Sequence, residues 1–348
     1  RQEVALGTRR YGRMGRRRIG RAVAMAAVGL CGVLVPTTAG ADRPPAPGYA
    51  YVPNLFDGTG SVSVIDIATG TVASTIAVSY PFGTAVSPDG TRLYVTSLFG
   101  GGTDNGDSVA VIDTTTDTVL RTITLGSYAA VQPNGVAVDA VRNKLYVAYS
   151  NLDKLGIIDL TDDSITEVTV GDNPIGVAVG PRGRGVYVTN NADGTVSVVD
   201  PDTATVTATI TVGVNPAGIE AHHDTRRVFV ANTGSSTVSV IRRDGTVGTI
   251  DLPAGAAPEG ISVREGRVAV SNVGSGGITL IDPEKLRVTR TLAVDGSWGI
   301  DTARDGRLVV TFAGWAQAGI VRTGRTPVVT NVDVGAVPLG LGRFIARY

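Results

Sequence analysis

One phrase is written again and again along this chain. YVTNNADGTVSVVD runs from Tyr187 to Asp200, and close versions begin at Tyr51 (YVPNLFDGTGSVSVID), Phe229 (FVANTGSSTVSVIR) and Val268 (VAVSNVGSGGITLID). Anchoring on the residue that ends each phrase gives Asp66, Asp113, Asp159, Asp200, Arg242, Asp282 and Arg322, at spacings of 47, 46, 41, 42, 40 and 40. A second anchor, Pro-x-Gly before an apolar stretch, recurs at Pro81, Pro133, Pro174, Pro216, Pro258 and Pro338, with SWG at Ser297 in the remaining place. Both anchors count seven.

Within one period the pattern predicts four short strands, as in GVAVGP, GVYVTN, TVSVVD and TVTATITV between Gly176 and Val212. Val, Thr and Ile dominate them, and turns such as SPDG at Ser87 and DPDT at Asp200 supply side-chain acceptors and residues that tolerate positive φ. A four-stranded unit with a period near 40 reads as a β-propeller blade. A β-helix needs shorter coils, and an immunoglobulin-like array needs periods near ~100. The expected fold is all-β, a seven-bladed propeller of four-stranded antiparallel blades over residues 49–348. The segment YAYVPN reads as a second strand, whereas PLGLGRFIARY reads as a first strand. Pro338 to Tyr348 should therefore pair beside the strand at Tyr51, closing the ring and removing an open seam.

The first forty residues differ. MGRRRIGR is basic, AVAMAAVGLCGVLV is an apolar run of 14, and PTTAGA ends in a small-x-small pattern. Residues 1–41 read as a signal peptide cleaved after Ala41, with 1–13 a candidate upstream extension before Met14 and 42–48 a linker. The run is short of the ~20 residues that a spanning helix needs, so stable membrane insertion is not expected. Arg16, Arg17 and Arg18 hint at twin-arginine export without completing its motif. Cys31, the one cysteine, follows a leucine too large for lipoprotein processing. The leader holds eight arginines and one glutamate, so its removal leaves 23 basic against 30 acidic residues, a net charge near −7. Nucleic acid is an unsuitable partner for such a chain.

These residues carry a resemblance to the YVTN-repeat family, the YncE-like seven-bladed propellers of periplasms, secreted proteins and surface layers. LYVTS at Leu93, VYVTN at Val186, TVSVVD at Thr195 and TAVSPDG at Thr84 match the family phrase, whereas LVVTF and GIVRTG in the last repeat keep only its pattern. The resemblance spans 49–348 and implies the fold; family members have mixed functions, so it implies little about activity.

In a propeller the fourth-to-first loops and second-to-third turns share one rim, and the other turns share the opposite rim. Five of 18 aromatic residues fill the second-strand slot: Tyr51, Tyr94, Tyr146, Tyr187 and Phe229. Nine others, Phe56, Tyr80, Phe82, Phe99, Tyr128, Tyr149, Trp298, Phe312 and Trp315, fall on or beside the first rim, and none falls in the opposite turns. The insertions SLFGGGTDNGDS at Ser97 and GSYAAVQP at Gly126 enlarge the same rim. Such aromatics suit ligand or protein contact, or else plug the mouth of the ring. Asn54, Asn190, Asn232 and Asn272 form either a ring of ligand-binding amides or a set of turn braces. Glu220 and Asp301 enter an axial slot that holds Ala85, Ala137 and Ala178 elsewhere. They are the candidates for a cation or an acid–base pair, against solvation in the channel or pairing with Arg343. His222 and His223 fall in a turn of the opposite rim and are assigned no catalysis. TDNGD at Thr103 lacks the terminal Glu of a calcium loop.

The leading reading is a monomeric secreted or cell-surface binding platform, without catalytic residues or cofactor, that holds a protein, peptide or cell-wall glycan through the aromatic rim. The alternatives are a propeller enzyme of the lactonase or streptogramin-lyase kind with a cation in the channel mouth, and a structural surface-layer component.

Overall fold

The computed structural model describes residues 48–98, 107–126, 130–222, 224–264, 266–275, 277–294 and 296–346. The proposed signal peptide, Phe99, Tyr128, the first four residues of TDNGD and His223 lie outside them. Blade 4 shows the unit: Pro174–Val179, Val186–Asn190, Thr195–Asp200 and Thr205–Thr211 pair antiparallel in chain order. Blades 2 to 7 repeat this arrangement. Blade 1 owns only Tyr49–Asn54, Ser61–Asp66 and Thr71–Ala77.

Its innermost place is taken by the C-terminal segment. Asn54 bridges Pro338 and Ala50 bridges Ile345, both antiparallel. The Tyr51 amide donates to the Phe344 carbonyl at 2.8 Å, and the Leu339 amide donates to that of Pro53 at 2.9 Å. Leu341–Gly342 also runs parallel to Pro81–Val86, the inner strand of blade 2. The fold and the closure are therefore those expected from the repeats. Alternate residues of each pleated strand point into the two seams beside it, so the core is distributed between blades. Seven apolar clusters fill the seven seams, such as Val240 and Ile250 of blade 5 against Ile261 and Val270 of blade 6.

The repeated phrase acquires a physical meaning here. Its tyrosine fills a seam, and Tyr51 Oη donates to the Thr114 carbonyl of blade 2 at 3.2 Å. Its threonine links inner strands: Thr189 Oγ1 accepts from the Gly176 amide at 2.7 Å and donates to the Ala217 carbonyl of blade 5 at 2.9 Å. Thr96 joins Gly83 to Asn134 in the same way, at 2.8 Å on both sides. The glycine of Pro-x-Gly lets inner strands approach. A Cβ on Gly83, Gly176 or Gly218 would lie 2.2, 2.3 or 2.3 Å from a carbonyl oxygen of the next blade. Each inner strand of blades 2 to 7 is bulged just after its first residue, which turns this glycine toward its neighbour.

Candidate functional site

The four asparagines belong to the scaffold. Asn190 Nδ2 donates to Thr195 Oγ1 and Ser197 Oγ, each at 2.9 Å, and Asn232 makes the same pair to Thr237 and Ser239 at 3.0 Å. Asn54 holds Ser61 and Ser63, and Asn272 holds Thr279. All four are fully buried. Loop glycines seal them in: a Cβ on Gly171 or Gly213 would lie 2.6 Å from the amide of Asn190 or Asn232. The asparagine slot braces the turn, each buried amide nitrogen donating to the third strand.

Tyr149 and Phe312 occupy that slot in blades 3 and 7 and are likewise buried. Where the asparagines meet a hydroxyl on the third strand, these rings meet glycine. A Cβ on Gly156 would lie 2.1 Å from Tyr149 Oη, and one on Gly319 would lie 2.8 Å from the Phe312 ring. The two aromatics therefore fill the blade interior at the ends of their second strands, beside the rim, instead of standing exposed on it.

Five of the rim candidates remain at the surface. Trp315 is 60% exposed and Phe56 is 44% exposed, while Tyr80, Phe82 and Trp298 are half-buried. Phe56 meets Tyr80 edge to face with ring centroids 6.3 Å apart, and Trp315 lies 5.9 Å from Phe312. Tyr80, Phe82 and Trp298 pack on a buried patch of Leu55, Leu98 and Leu339. Leu152, Val214 and Val273 add exposed apolar side chains in turns of the same rim. Tyr80 and Val337, both directly before a Pro-x residue pair of this rim, hold left-handed backbone at φ 40° and 53°. That conformation is costly for a bulky or β-branched residue, so the loops of the rim carry backbone strain.

Glu220 and Asp301 converge on the closing segment. Glu220 Oε1 accepts from Arg343 Nε at 2.6 Å, and its Oε2 accepts from the Val263 amide at 2.6 Å. Asp301 Oδ2 accepts from the Phe344 and Ile345 amides at 3.1 and 2.9 Å. Burial disfavours the Arg343 charge, yet the Glu220 and Asp301 carboxylates outweigh it and raise the guanidinium's proton affinity. The two acids latch the last strand, which is the pairing with Arg343 set out as the alternative to a cation. Among the described residues no cluster of three or more His, Cys, Asp or Glu side chains is arranged to hold a metal. His222 is buried on the opposite rim, its Nδ1 accepting from the Thr225 amide at 3.3 Å.

One functional candidate escaped the sequence reading. Glu259 is the middle residue of a Pro-x-Gly triplet whose equivalents include Phe82, Ala217, Trp298 and Leu339, so it stands in the ring of residues at the channel mouth. It is buried, with the Thr233 hydroxyl donating to Oε2 at 3.2 Å. Burial pushes its carboxyl up from 4.5 to about 7, against a smaller opposing pull from Thr233. The signal was available: an acid in a slot otherwise apolar, small or amide. Because the folded-state value is raised, the native protein holds a proton that the unfolded chain releases. Stability should fall as pH rises from 4.5 to about 7 and level off above. Glu259→Gln should match the parent in urea melts at pH 4.5 and exceed it at pH 8 by on the order of 3 kcal/mol. Equal differences at both pH values would refute the assignment.

The family model described as "Lactonase, 7-bladed beta-propeller" matches residues 159–260. No curated protein matches the sequence. Among solved structures, virginiamycin B lyase from Staphylococcus aureus superposes with a TM-score of 0.65 at 16% identity, covering 75% of this chain and 87% of that one. Hydrazine synthase from Kuenenia stuttgartiensis gives 0.65 at 19% identity, covering 84% and 99%. A protein from Lactobacillus plantarum gives 0.65 at 17% identity, covering 85% and 98%. With its seven blades and closed ring, the chain is by fold a seven-bladed β-propeller similar to these proteins.

Proposed function

We propose that this propeller is an extracytoplasmic binding module that holds a protein, peptide or cell-wall glycan on its aromatic rim. The observation that carries the reading is the grouping of Phe56, Tyr80, Phe82, Trp298 and Trp315 on one rim, two of them well exposed, around an apolar patch at the channel mouth. Aromatic side chains that keep one face wet and one face packed are suited to anchoring a partner. The acids near the axis, Glu220 and Asp301, are engaged by the closing strand.

The chain contains two tryptophans, and both lie on this rim. Tryptophan emission is thus a direct reporter of the site. Titration with peptidoglycan fragments or a peptide library should shift the emission with a saturable profile. Trp315→Ala and Trp298→Ala should each weaken binding by about 1–3 kcal/mol, as aromatic anchors do, while the melting curve stays in place. Retained affinity in the folded double variant would count against the rim.

A second reading, an enzyme of the lactonase or streptogramin-lyase kind, is favoured by the family match over 159–260 and by Glu259, whose carboxyl sits near neutrality at the mouth. Lactone or streptogramin turnover lost in Glu259→Gln would support it.

A further inference from the structure

The residue that ends the third strand is aspartate in five blades: Asp66, Asp113, Asp159, Asp200 and Asp282. Each side chain accepts from the backbone amide two positions on, as Asp200 does from Asp202 at 2.8 Å. In blades 1 to 3 this aspartate also faces the first residue of the second strand. In blade 2 that neighbour is Arg92, and the two pair at 2.8 Å.

Blades 5 and 7 break the rule in the same way. The aspartate becomes Arg242 and Arg322, and the register sets these opposite Arg227 and Arg307. Like charges directly opposed across a strand pair are unfavourable, so two equivalent exceptions call for a compensating partner. Arg227 and Arg307 have a structural task, since each donates to a carbonyl of the following blade, at Pro283 and Ile67. Arg242 and Arg322 do not share that task. Among the described residues Arg242 donates to Thr246 Oγ1 at a long 3.5 Å and lies near enough to Asp244 to help lower that carboxyl's proton affinity.

Each exception borders an open depression of about 430 Å³. Thr225, Arg227, Arg242, Arg243 and Asp244 line the one in blade 5. Ala68, Asp305, Gly306, Arg307, Arg322 and Thr323 line the one in blade 7. Asp244 accepts from the Thr246 amide and hydroxyl, at 3.0 and 2.7 Å, and Asp305 pairs with Arg307 at 2.6 Å. Three guanidinium groups against one carboxylate in blade 5, and two against one in blade 7, leave both depressions positive within a chain whose propeller region is net negative.

We propose that this rim binds an acidic polysaccharide, whose repeated sulfate, phosphate or carboxylate groups seat in the two arginine depressions two blades apart. Guanidinium groups suit such oxyanions because their planar donors match paired oxygens. Two sites on one flexible chain gain from linkage. Single-stranded nucleic acid would need exposed rings for its bases. Among the described residues near this rim His222 is buried and Tyr49 is half-buried. Duplex DNA would bring its stiff, dense charge against the remaining acidic surface.

Arg242→Asp and Arg322→Asp restore the aspartate of the other blades, so these variants keep or raise the melting temperature. The full chain should be retained on immobilised heparin at low ionic strength and released by salt. Each reversal should weaken heparin binding at least tenfold, and the double reversal should abolish it. Tryptophan emission should not change on heparin binding, because both tryptophans are on the other rim. No heparin binding by the parent, or unchanged binding in the double reversal, overturns the proposal. Inorganic phosphate alone binding as tightly as heparin, or duplex DNA binding more tightly, overturns the choice of occupant. Acidic-chain binding here and partner binding by the aromatic rim can fail independently.

Discussion

A chain that ends at Val337 melts more than about 10 °C below the full-length protein, or loses its cooperative transition altogether. Leu339, Leu341, Phe344, Ile345 and Ala346 are all buried, and each large apolar side chain among them contributes about 1.5–3 kcal/mol by burial. Truncation also strips the partners from the amide of Tyr51 and the carbonyls of Tyr49 and Pro53, leaving the first strand of the chain as an open edge. The seams on both sides of blade 1 include residues of this segment, so the damage reaches blades 7 and 2. Differential scanning calorimetry checks the result, and an unchanged melting temperature would contradict ring closure by this segment. Asp301→Asn separates the latch from the strand: it keeps the segment, weakens two hydrogen bonds to a charged acceptor, and should cost about 2–3 kcal/mol.

The second large effect belongs to Gly218. An alanine there would place its Cβ 2.3 Å from the Glu259 carbonyl oxygen and 3.2 Å from the Ile261 amide nitrogen, both backbone atoms of the next blade. Neither can swing aside as a side-chain tip would. Blades 5 and 6 must separate, which loosens the apolar seam between them. Gly218→Ala should cost about 3 kcal/mol, at the upper end of overpacking effects. Gly245→Ala is the control for adding a methyl group to open space, since nothing lies within 4 Å, although its φ of +82° adds backbone strain. Urea melts of the two variants should show far the larger loss at Gly218. Equal losses would argue that the inner strands are not in close contact.

Much of this was legible because repetition averages out local ambiguity. Seven copies of the phrase gave the blade count, and the mismatch between YAYVPN and PLGLGRFIARY revealed the shared blade. Positions with partners in another blade were harder. The threonine of the phrase serves the neighbouring blade, and nothing within its own repeat says so. Tyr149 and Phe312 carried a readable clue in Gly156 and Gly319, but only knowledge of the register connects residues that lie seven apart. Glu220 and Asp301 stood out as acids near the axis, yet their roles depend on amides and a guanidinium more than forty residues away. Glu259 was hidden because the charge of one residue gives no sign of how little water reaches it.

The borrowed strand also decides how this molecule can be displayed. Ala346 donates to Tyr49 beside Asp66, so both ends of the described chain emerge together at the turns that carry the arginines. A bead, chip or carrier protein joined directly to Gly48 or Ala346 therefore sits under that face. The tryptophans point away from the support, and the arginine depressions lie toward it. An assay immobilised through either of those residues samples one face of the ring, and testing the other requires attachment through the outermost strands.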